Sequence, residues 1–227
     1  MEIKPIAYIK TDFKEKFGIP RQSGIIENIT GEIIFEKEFR NPDSLRGIKE
    51  YSHLWLIFDF SKNHRKNWLP TVRPPRLGGN EKVGVFATRS PFRPNNLGLS
   101  CVKLEEIKKD EKNGDILIVS GVDLLDNTPI YDIKPYIPYC DCKPEAKGSF
   151  SEIHKDYKID VFYDENIFEG ISEKNKNSII SIIEQNPKPA YKSEQKSYKF
   201  LFSDYEICFE ITGETAKIIN IEKLYKK

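Results

Sequence analysis

The first 140 residues alternate short apolar runs with turn-forming residues, which is a pattern typical of β-strands. Helical periodicity is weak there, apart from a short helical turn predicted near residues 41–48. The predicted strands cover residues 3–9, 31–35, 51–60, 83–87, 97–104 and 115–122. Many short strands separated by turns favour an all-β barrel or sandwich. We therefore expect a mainly β fold for this part of the chain.

The pattern changes after residue 138. Residues 139–157 are polar and lack periodicity, so we interpret them as a linker. A helix is predicted to begin near Glu173, with Ser172 as its N-cap, and to end before Pro187. The strands predicted around it cover residues 158–163, 198–202, 205–211 and 215–221. We therefore predict an N-terminal β domain and a small C-terminal α+β domain, with the bounds 1–147 and 148–227.

Composition excludes several classes of protein. The chain has 227 residues, of which 38% are hydrophobic, enough for a core of moderate size. No apolar run follows Met1, and no segment approaches the roughly 20 apolar residues of a membrane span, so we predict a cytoplasmic protein without a membrane partner. The cysteines lack the spacing of a zinc site, so we expect reduced thiols and no metal. They are Cys101, Cys140, Cys142 and Cys208.

Basic residues cluster between residues 60 and 104. This stretch contains nine lysines and arginines and a single acid, Glu81, so its charge is +8 and the rest of the chain carries −7, since the total is +1. The cluster is either a solvated loop or a surface for a polyanion. Interleaved prolines, glycines and Trp68 favour a shaped loop that binds RNA, with Trp68 as a stacking surface. The predicted RNA-binding residues are Lys62, Arg65, Lys66, Arg73 and Arg76.

The segment GVFATRSPFRPNNLGLS (84–100) runs from a strand into a turn constrained by proline. It places Arg89 and Arg93 four residues apart. Two arginines in a rigid turn can hold a carboxylate or a phosphate through bidentate hydrogen bonds. Structural arginines in an exposed loop are an equally good interpretation of the spacing alone.

The segment DLLDNTPIYDIKPY (123–136) sets polar groups among apolar ones and is predicted to turn at residues 127–129. The carboxylates of Asp123, Asp126 and Asp132 can accept hydrogen bonds from ribose hydroxyls or an amine, or act as a general base. For Asp126 and its neighbour Asn127, capping of the turn is an equally good interpretation.

Several common functional motifs are absent from the sequence. There is no G-x-G-x-x-G after a strand, no P-loop and no serine-hydrolase elbow. His53, His64 and His154 are far apart in sequence and make no metal motif. A nucleotide-like cofactor must therefore bind to an architecture other than a Rossmann fold.

The stretch GVFATRSPFRPN (84–95) resembles the signature of the TrmO family, also called TsaA-like. The similarity extends over nearly the whole chain, because further stretches resemble the family in the same order. They are GIPRQSG (18–24), YSHLWLIF (51–58), TVRPPRLGGN (71–80), DNTPIYDIKPY (126–136) and QNPKPAYK (185–192). So many long motifs in order make an accidental match improbable.

The resemblance implies a β-barrel methyltransferase that binds S-adenosylmethionine without a Rossmann fold. It also implies a homodimer with the cofactor near the subunit interface. The implied reaction is N6-methylation of N6-threonylcarbamoyladenosine beside the anticodon of threonine tRNA. Two alternatives remain: an RNA-binding barrel that has lost turnover, and a methyltransferase of the same family that acts on another substrate.

The resemblance also implies site residues. Arg21 or Arg89 would hold the carboxylate of the cofactor, and Asp123 its nucleoside. Proton loss from the target nitrogen calls for a general base, for which Asp126 and Asp132 are equal candidates. The implied cofactor positions are Pro20, Arg21, Gln22, His53, Leu54, Arg89, Leu99, Asp123, Leu124, Leu125 and Asp126.

Overall fold

The computed structural model describes residues 2–74, 77, 81–153, 155–187 and 197–224. Its strands are β1 (Ala7–Thr11), β2 (Thr30–Phe35), β3 (His53–Asp59), β4 (Thr71–Val72), β5 (Val83–Gly84), β6 (Leu97–Asp110), β7 (Gly114–Ser120), β8 (Thr128–Pro135), β9 (Asp160–Phe162), β10 (Ser197–Phe202), β11 (Tyr205–Thr212) and β12 (Thr215–Lys223). Its α-helices are α1 (Pro138–Asp141), α2 (Phe150–Ile153) and α3 (Glu173–Glu184). Short 3₁₀ helices cover Lys37–Phe39, Pro42–Leu45, Ile48–Glu50, Val85–Ala87 and Glu165–Phe168. The predicted mainly β fold is confirmed.

Six strands of the described chain close into an antiparallel barrel in the order β1, β2, β7, β6, β3 and β8. Strand β1 also pairs with β8, so the barrel has no free edge. Side chains alternate between the inside and the outside, as the period of a strand requires. The inside is filled by fully buried apolar side chains, among them Ile9, Ile33, Leu56, Val102 and Leu117. The N-terminal β-barrel predicted from the sequence is confirmed.

The C-terminal region is a small α+β domain, as predicted. Its strands form a sheet in the order β10, β11, β12 and β9, and the apolar face of α3 is buried through Ile179, Ile182 and Ile183. The predicted N-cap of α3 is confirmed, because the Ser172 hydroxyl accepts a 3.3 Å hydrogen bond from the Asn175 amide. None of the described helices has the length and apolar character needed to cross a membrane.

Three segments differ from the sequence-based expectation. Residues 128–135 form strand β8, although polar residues had suggested a turn there; pairing with β1 and β3 stabilises the strand. The turn itself is confined to its start, where Asn127 has a φ of 60°. The strand predicted at 83–87 ends at Gly84 and continues as a 3₁₀ helix, and the predicted linker 139–157 contains α1 and α2.

Candidate functional site

A cleft of about 540 Å³ opens at one end of the barrel. It lies where β3 ends and where β6 and β8 begin, because antiparallel pairing brings those ends together. Its volume falls within the roughly 300–1,000 Å³ typical of small-ligand sites. The residues that line it come from the stretches 16–22, 58–63, 88–93, 97–100 and 123–128. The fold therefore gathers segments that are far apart in sequence.

A carboxylate and a guanidinium lie together in this cleft. The Ser100 hydroxyl donates a 2.6 Å hydrogen bond to Oδ1 of Asp123. Burial raises the pKa of Asp123 from 3.8 to about 6, while the bond from Ser100 and the nearby charge of Arg89 oppose the rise. Arg89 in turn donates a hydrogen bond to Oε1 of Gln22. The cleft can therefore pair with a ligand that carries both signs of charge.

Residues 12–22, here called the braced wall, form one side of the cleft and are held by the C-terminal domain. The ring of Phe13 packs edge-on against Phe202, with 5.5 Å between the centroids. The amide of Leu201 donates a 2.8 Å hydrogen bond to Oε1 of Glu15. Apolar packing and hydrogen bonding thus fix the braced wall from outside the barrel.

Two further contacts join the braced wall to the C-terminal domain beside the cleft. Gly18 has a φ of +89°, and a Cβ built there would lie 3.0 Å from the ring of Phe200. The wall therefore needs glycine both for its conformation and for its close approach to the domain. Arg21, which lines the cleft, donates a 3.3 Å hydrogen bond to the carbonyl of Asn186, just after α3. The second domain therefore touches a residue of the cleft itself.

Residues 61–74, here called the open wall, run outward from the cleft, which residues 61–63 line. The wall touches the braced wall where Nζ of Lys16 donates a 2.6 Å hydrogen bond to the carbonyl of Lys62. The guanidinium of Arg65 lies over the ring of Phe92, 3.6 Å from its centroid. Trp68 and Phe86 are 48% and 73% exposed, and their rings lie 6.2 Å apart. This wall presents cations and exposed aromatic faces to solvent, a combination suited to nucleic acid.

Family profiles match both parts of the chain. The profile of the tRNA-methyltransferase O N-terminal domain matches residues 8–142, which is more than half of the chain. The profile of the TrmO C-terminal domain matches residues 158–224. The chain belongs to the TrmO family. The resemblance inferred from the sequence motifs is thereby confirmed.

Individual TrmO relatives are similar over most of the chain. A tRNA (adenine(37)-N6)-methyltransferase of Escherichia coli is 34% identical over 97% of both chains. An enzyme of the same name from Eikenella corrodens is 44% identical over 74% of this chain and 95% of its own. A crystal structure of TrmO from Pseudomonas aeruginosa superposes with a TM-score of 0.78 and 28% identity, covering 98% of this chain and 97% of that one.

Most cofactor positions implied by the TrmO resemblance line the cleft. Their side chains do not all face it: Leu124 is almost fully buried, whereas Leu99 is 55% exposed. The hydrogen bond from Thr11 to the Leu124 carbonyl (3.0 Å) ties this stretch to β1. Their role as cofactor ligands stays a prediction. The implied positions found at the cleft are Pro20, Arg21, Gln22, Arg89, Leu99, Asp123, Leu124 and Leu125.

His53 and Leu54 do not reach the cleft of their own chain. They begin β3, whereas the cleft lies at its other end, beside Asp59. Six residues of strand separate the two ends by roughly 20 Å. Leu54 is fully buried in the barrel, and Nδ1 of His53 lies 2.9 Å from the hydroxyl of Ser52.

The candidate bases Asp126 and Asp132 are not among the residues that line the cleft. Oδ1 of Asp126 accepts a 3.0 Å hydrogen bond from the amide of Thr11, and Oδ2 lies 3.1 Å from Nζ of Lys14. Asp132 lies within β8 and forms a 2.9 Å ion pair with Lys134. The two carboxylates do not share one turn, because β8 begins between them. Their catalytic role stays a prediction without support from this geometry.

The predicted RNA-binding residues lie on the open wall, except Arg76, which is outside the described residues. Lys62 lines the cleft, and Lys66 and Arg73 are exposed. The neighbouring Arg93, whose role the spacing left open, donates hydrogen bonds to the carbonyls of Thr88 (2.9 Å) and Ser90 (3.4 Å). Arg93 therefore stabilises its own loop, whereas Arg89 bonds to Gln22 across the cleft.

Sequence reasoning missed several polar residues of the cleft, among them Asp59 and Ser100. Both of these had a signal. Asp59 is a charge at the end of the apolar run LWLIF, and Ser100 occupies an inward position of β6, between Gly98 and Val102. Neither signal identifies a partner, because the partners, His64 and Asp123, lie in loops whose positions the strand pattern does not predict.

Proposed function

We propose that the protein transfers a methyl group from S-adenosylmethionine to N6 of threonylcarbamoyladenosine beside the anticodon of threonine tRNA. The main support for the proposal is the cleft, in which Asp123 and Arg89 provide opposite charges next to the basic, aromatic open wall. Membership of the TrmO family supports it, as do the names of the Escherichia coli and Eikenella corrodens relatives. A Pseudomonas aeruginosa relative named as a putative S-adenosylmethionine-dependent methyltransferase supports the choice of cofactor.

The side chains of the cleft fit the chemical groups of S-adenosylmethionine. Arg21 and Arg89 suit its carboxylate, because guanidinium groups form strong, charge-assisted bonds with carboxylates. Asp123 suits a ribose hydroxyl or a positive charge. Leu99 and Leu125 offer apolar contact to the adenine. When bound, the cofactor supplies an electrophilic methyl group next to these residues.

The open wall suits the tRNA. Its cations Lys62, Arg65, Lys66 and Arg73 are proposed to contact phosphates, a contribution that does not depend on sequence. Trp68 and Phe86 are proposed to stack on unpaired bases of the anticodon loop, since sequence-specific proteins recognise unstacked bases in this way. The tRNA would then approach the cleft from the side of the open wall.

The chain's contribution to rate is proposed to be positioning and proton removal. Holding the nitrogen and the methyl carbon in line makes a bimolecular reaction effectively unimolecular, which can lower the activation barrier by about 7–11 kcal/mol. The braced wall is proposed to hold one reactant and the open wall the other. The nitrogen must also lose its proton, which requires an acceptor in the cleft.

A homodimer is part of the proposal. The outer face of β6 next to the cleft is apolar, with Leu97 and Leu99 at 39% and 55% exposure. A second copy that covers this face would bury apolar area and could bring its own His53, which is remote from the cleft of its own chain, towards the cofactor. Light scattering tests the dimer: a mass of one chain at micromolar concentration contradicts it. A cytoplasmic location, where tRNA is modified, also stays a prediction.

The reaction is tested with purified protein, S-adenosylmethionine and threonine tRNA that carries the threonylcarbamoyl group. We expect a product nucleoside heavier by one methyl group, detected by mass spectrometry of digested tRNA. The matched control is the same tRNA without the threonylcarbamoyl group. Equal activity on both would show that the site does not recognise the modification and would favour another substrate. Calorimetric binding of cofactor without any product would favour an RNA-binding protein that lacks turnover.

A further inference from the structure

Methylation of a nitrogen that carries hydrogen releases a proton, so the cleft needs an acceptor within hydrogen-bond reach. The described residues that line the cleft include two carboxylates, Asp59 and Asp123, and no imidazole. Asp126 and Asp132 are not among them. Among the described residues of this cleft, the candidate acceptors are therefore Asp59 and Asp123.

Asp123 is already engaged by groups that suit ligand binding. Its Oδ1 accepts the bond from Ser100, and the charge of Arg89 acts on it. It also belongs to the stretch proposed to hold the cofactor. These contacts fit a carboxylate that holds a bound ligand.

Asp59 has a different environment. It is the last residue of β3 and follows a β-bulge at which β3 shifts register against β8, between Ile57 and Phe58. Buried and less buried side chains alternate along β3 as far as Phe58, and Asp59 breaks the alternation because it is only 8% exposed. Bulges often re-aim a side chain beside a functional site.

Two side chains lie beside the Asp59 carboxylate. Nε2 of His64 lies 2.7 Å from Oδ1 of Asp59. Tyr131 of β8 lies near the same carboxylate, and burial together with the charge of Asp59 raises the pKa of Tyr131. The side chain of His64 is 58% exposed, so it links a carboxylate of the cleft to bulk water.

The turn between Asp59 and His64 is fixed by the backbone. The amide of Phe60 donates a 2.8 Å hydrogen bond to the carbonyl of Asn96, and the amide of Asn63 donates a 2.7 Å bond to the carbonyl of Phe60. These bonds hold the histidine beside the carboxylate. The pairing of carboxylate and exposed imidazole is therefore built into the end of β3.

We propose that Asp59 is the catalytic residue that accepts the proton of the target nitrogen, with His64 and Tyr131 as positioning residues. This inference rests on the proposed function. The nitrogen forms a bond to the methyl carbon as the bond from that carbon to sulfur breaks, and the sulfur keeps the electron pair. The proton passes from the nitrogen to a carboxylate oxygen of Asp59 and then, through the ring of His64, to water.

The first test replaces the carboxylate. Asp59→Asn keeps the size of the side chain and removes its basicity, so the single-turnover rate of tRNA methylation should fall by roughly 10²–10⁴-fold. Cofactor affinity by calorimetry and the melting temperature should stay close to those of the parent. The control is Asp43→Asn, which removes the same charge from an exposed 3₁₀ helix outside the cleft and should leave all three measurements unchanged.

The second test separates proton transfer from a structural role of the imidazole. His64→Gln keeps a donor close to the position of Nε2 but cannot carry a proton, and His64→Ala leaves space for free imidazole. We expect both variants to be slower than the parent, and we expect added imidazole to restore part of the rate of His64→Ala only. A full rate in His64→Gln would show that His64 has a structural role alone.

The outcomes distinguish this inference from the proposed function. If the parent protein methylates no tRNA, the proposed function fails. If the parent is active and Asp59→Asn retains its rate, the function stands and the role of Asp59 is refuted. A loss of rate confined to Asp123→Asn, Asp126→Asn or Asp132→Asn, measured beside cofactor affinity, would move the proton acceptor to that residue.

Discussion

The two walls of the cleft differ in how they are held. The braced wall, residues 12–22, packs against the C-terminal domain through Phe13 and hydrogen-bonds to it through Glu15. On the open wall, residues 61–74, cations and Trp68 face solvent. A wall fixed by packing is already formed for a small ligand, whereas an exposed, charged wall is suited to a large, polyanionic partner.

The C-terminal domain supports one wall of the cleft. The domain is joined to the barrel by one continuous apolar core, which includes Phe13 and Phe202. It therefore supports the residues proposed to bind the cofactor, although none of its described residues lines the cleft.

The largest expected effect comes from breaking the braced wall. Phe13 is fully buried, so Phe13→Ala should lower the free energy of unfolding by about 3–5 kcal/mol, measured by urea denaturation. The matched control is Phe86→Ala, which removes the same ring from an exposed position beside the open wall and should change stability by less than about 0.5 kcal/mol. A similar decrease in the free energy of unfolding in both variants would contradict the difference in packing between the two walls.

The buried carboxylate between the walls predicts a pH dependence. The pKa of Asp123 is raised from 3.8 to about 6 on folding, so the native state holds this proton more tightly than the unfolded state. Stability contributed by Asp123 is therefore present at low pH and falls as the pH rises through this window, by about 3 kcal/mol in total.

Urea denaturation of the parent and of Asp123→Asn, at about pH 4 and about pH 7, measures this effect. In the variant, the free energy of unfolding should decrease less between these two pH values, because an amide does not titrate. It should be the more stable of the two at the higher pH if the hydrogen bond from Ser100 is kept. An identical pH dependence in both proteins would contradict the raised pKa.

The affinity for the cofactor should depend on the guanidinium of Arg89. Removing a charge-assisted bond to a carboxylate costs about 1.5–3 kcal/mol, so Arg89→Ala should weaken S-adenosylmethionine binding by that amount in calorimetry. Arg65→Ala is the control, since it removes the same group from the open wall. Unchanged affinity in Arg89→Ala would remove this residue from the cofactor site.

The smallest expected effect is on the salt dependence of tRNA binding. Removing one cation that pairs with a phosphate should reduce the slope of log affinity against log salt by about 0.7–0.9. The variant replaces Lys62, Arg65 and Lys66 by alanine, and its control replaces three exposed lysines elsewhere. The control positions are Lys37, Lys49 and Lys112. Cofactor affinity should hold in both, and equal slopes would show that the open wall is only solvated surface.

Local patterns in the sequence predicted most of the elements of the fold. Apolar alternation located strands such as β3 and β7, and the serine before residue 173 located the start of α3, because both signals act between near neighbours. The motif 84–95 and the charge of the open wall are likewise continuous in sequence. They were enough to predict a barrel, a small second domain and an RNA-binding loop.

The residues that face one another in the cleft were decided only by the tertiary structure. The bond between Arg89 and Gln22 joins residues 67 positions apart, and that between Ser100 and Asp123 joins residues 23 apart. Strand β8 was not predicted, because its polar residues are typical of a turn and only pairing with β1 and β3 stabilises the strand. Alternation shows which side of a strand faces inward, but the register of a closed barrel depends on all of its strands at once. For that reason Asp126 is a catalytic candidate in the sequence, whereas in the fold its carboxylate accepts a hydrogen bond from β1. Asp59, which the sequence did not single out, lies in the cleft.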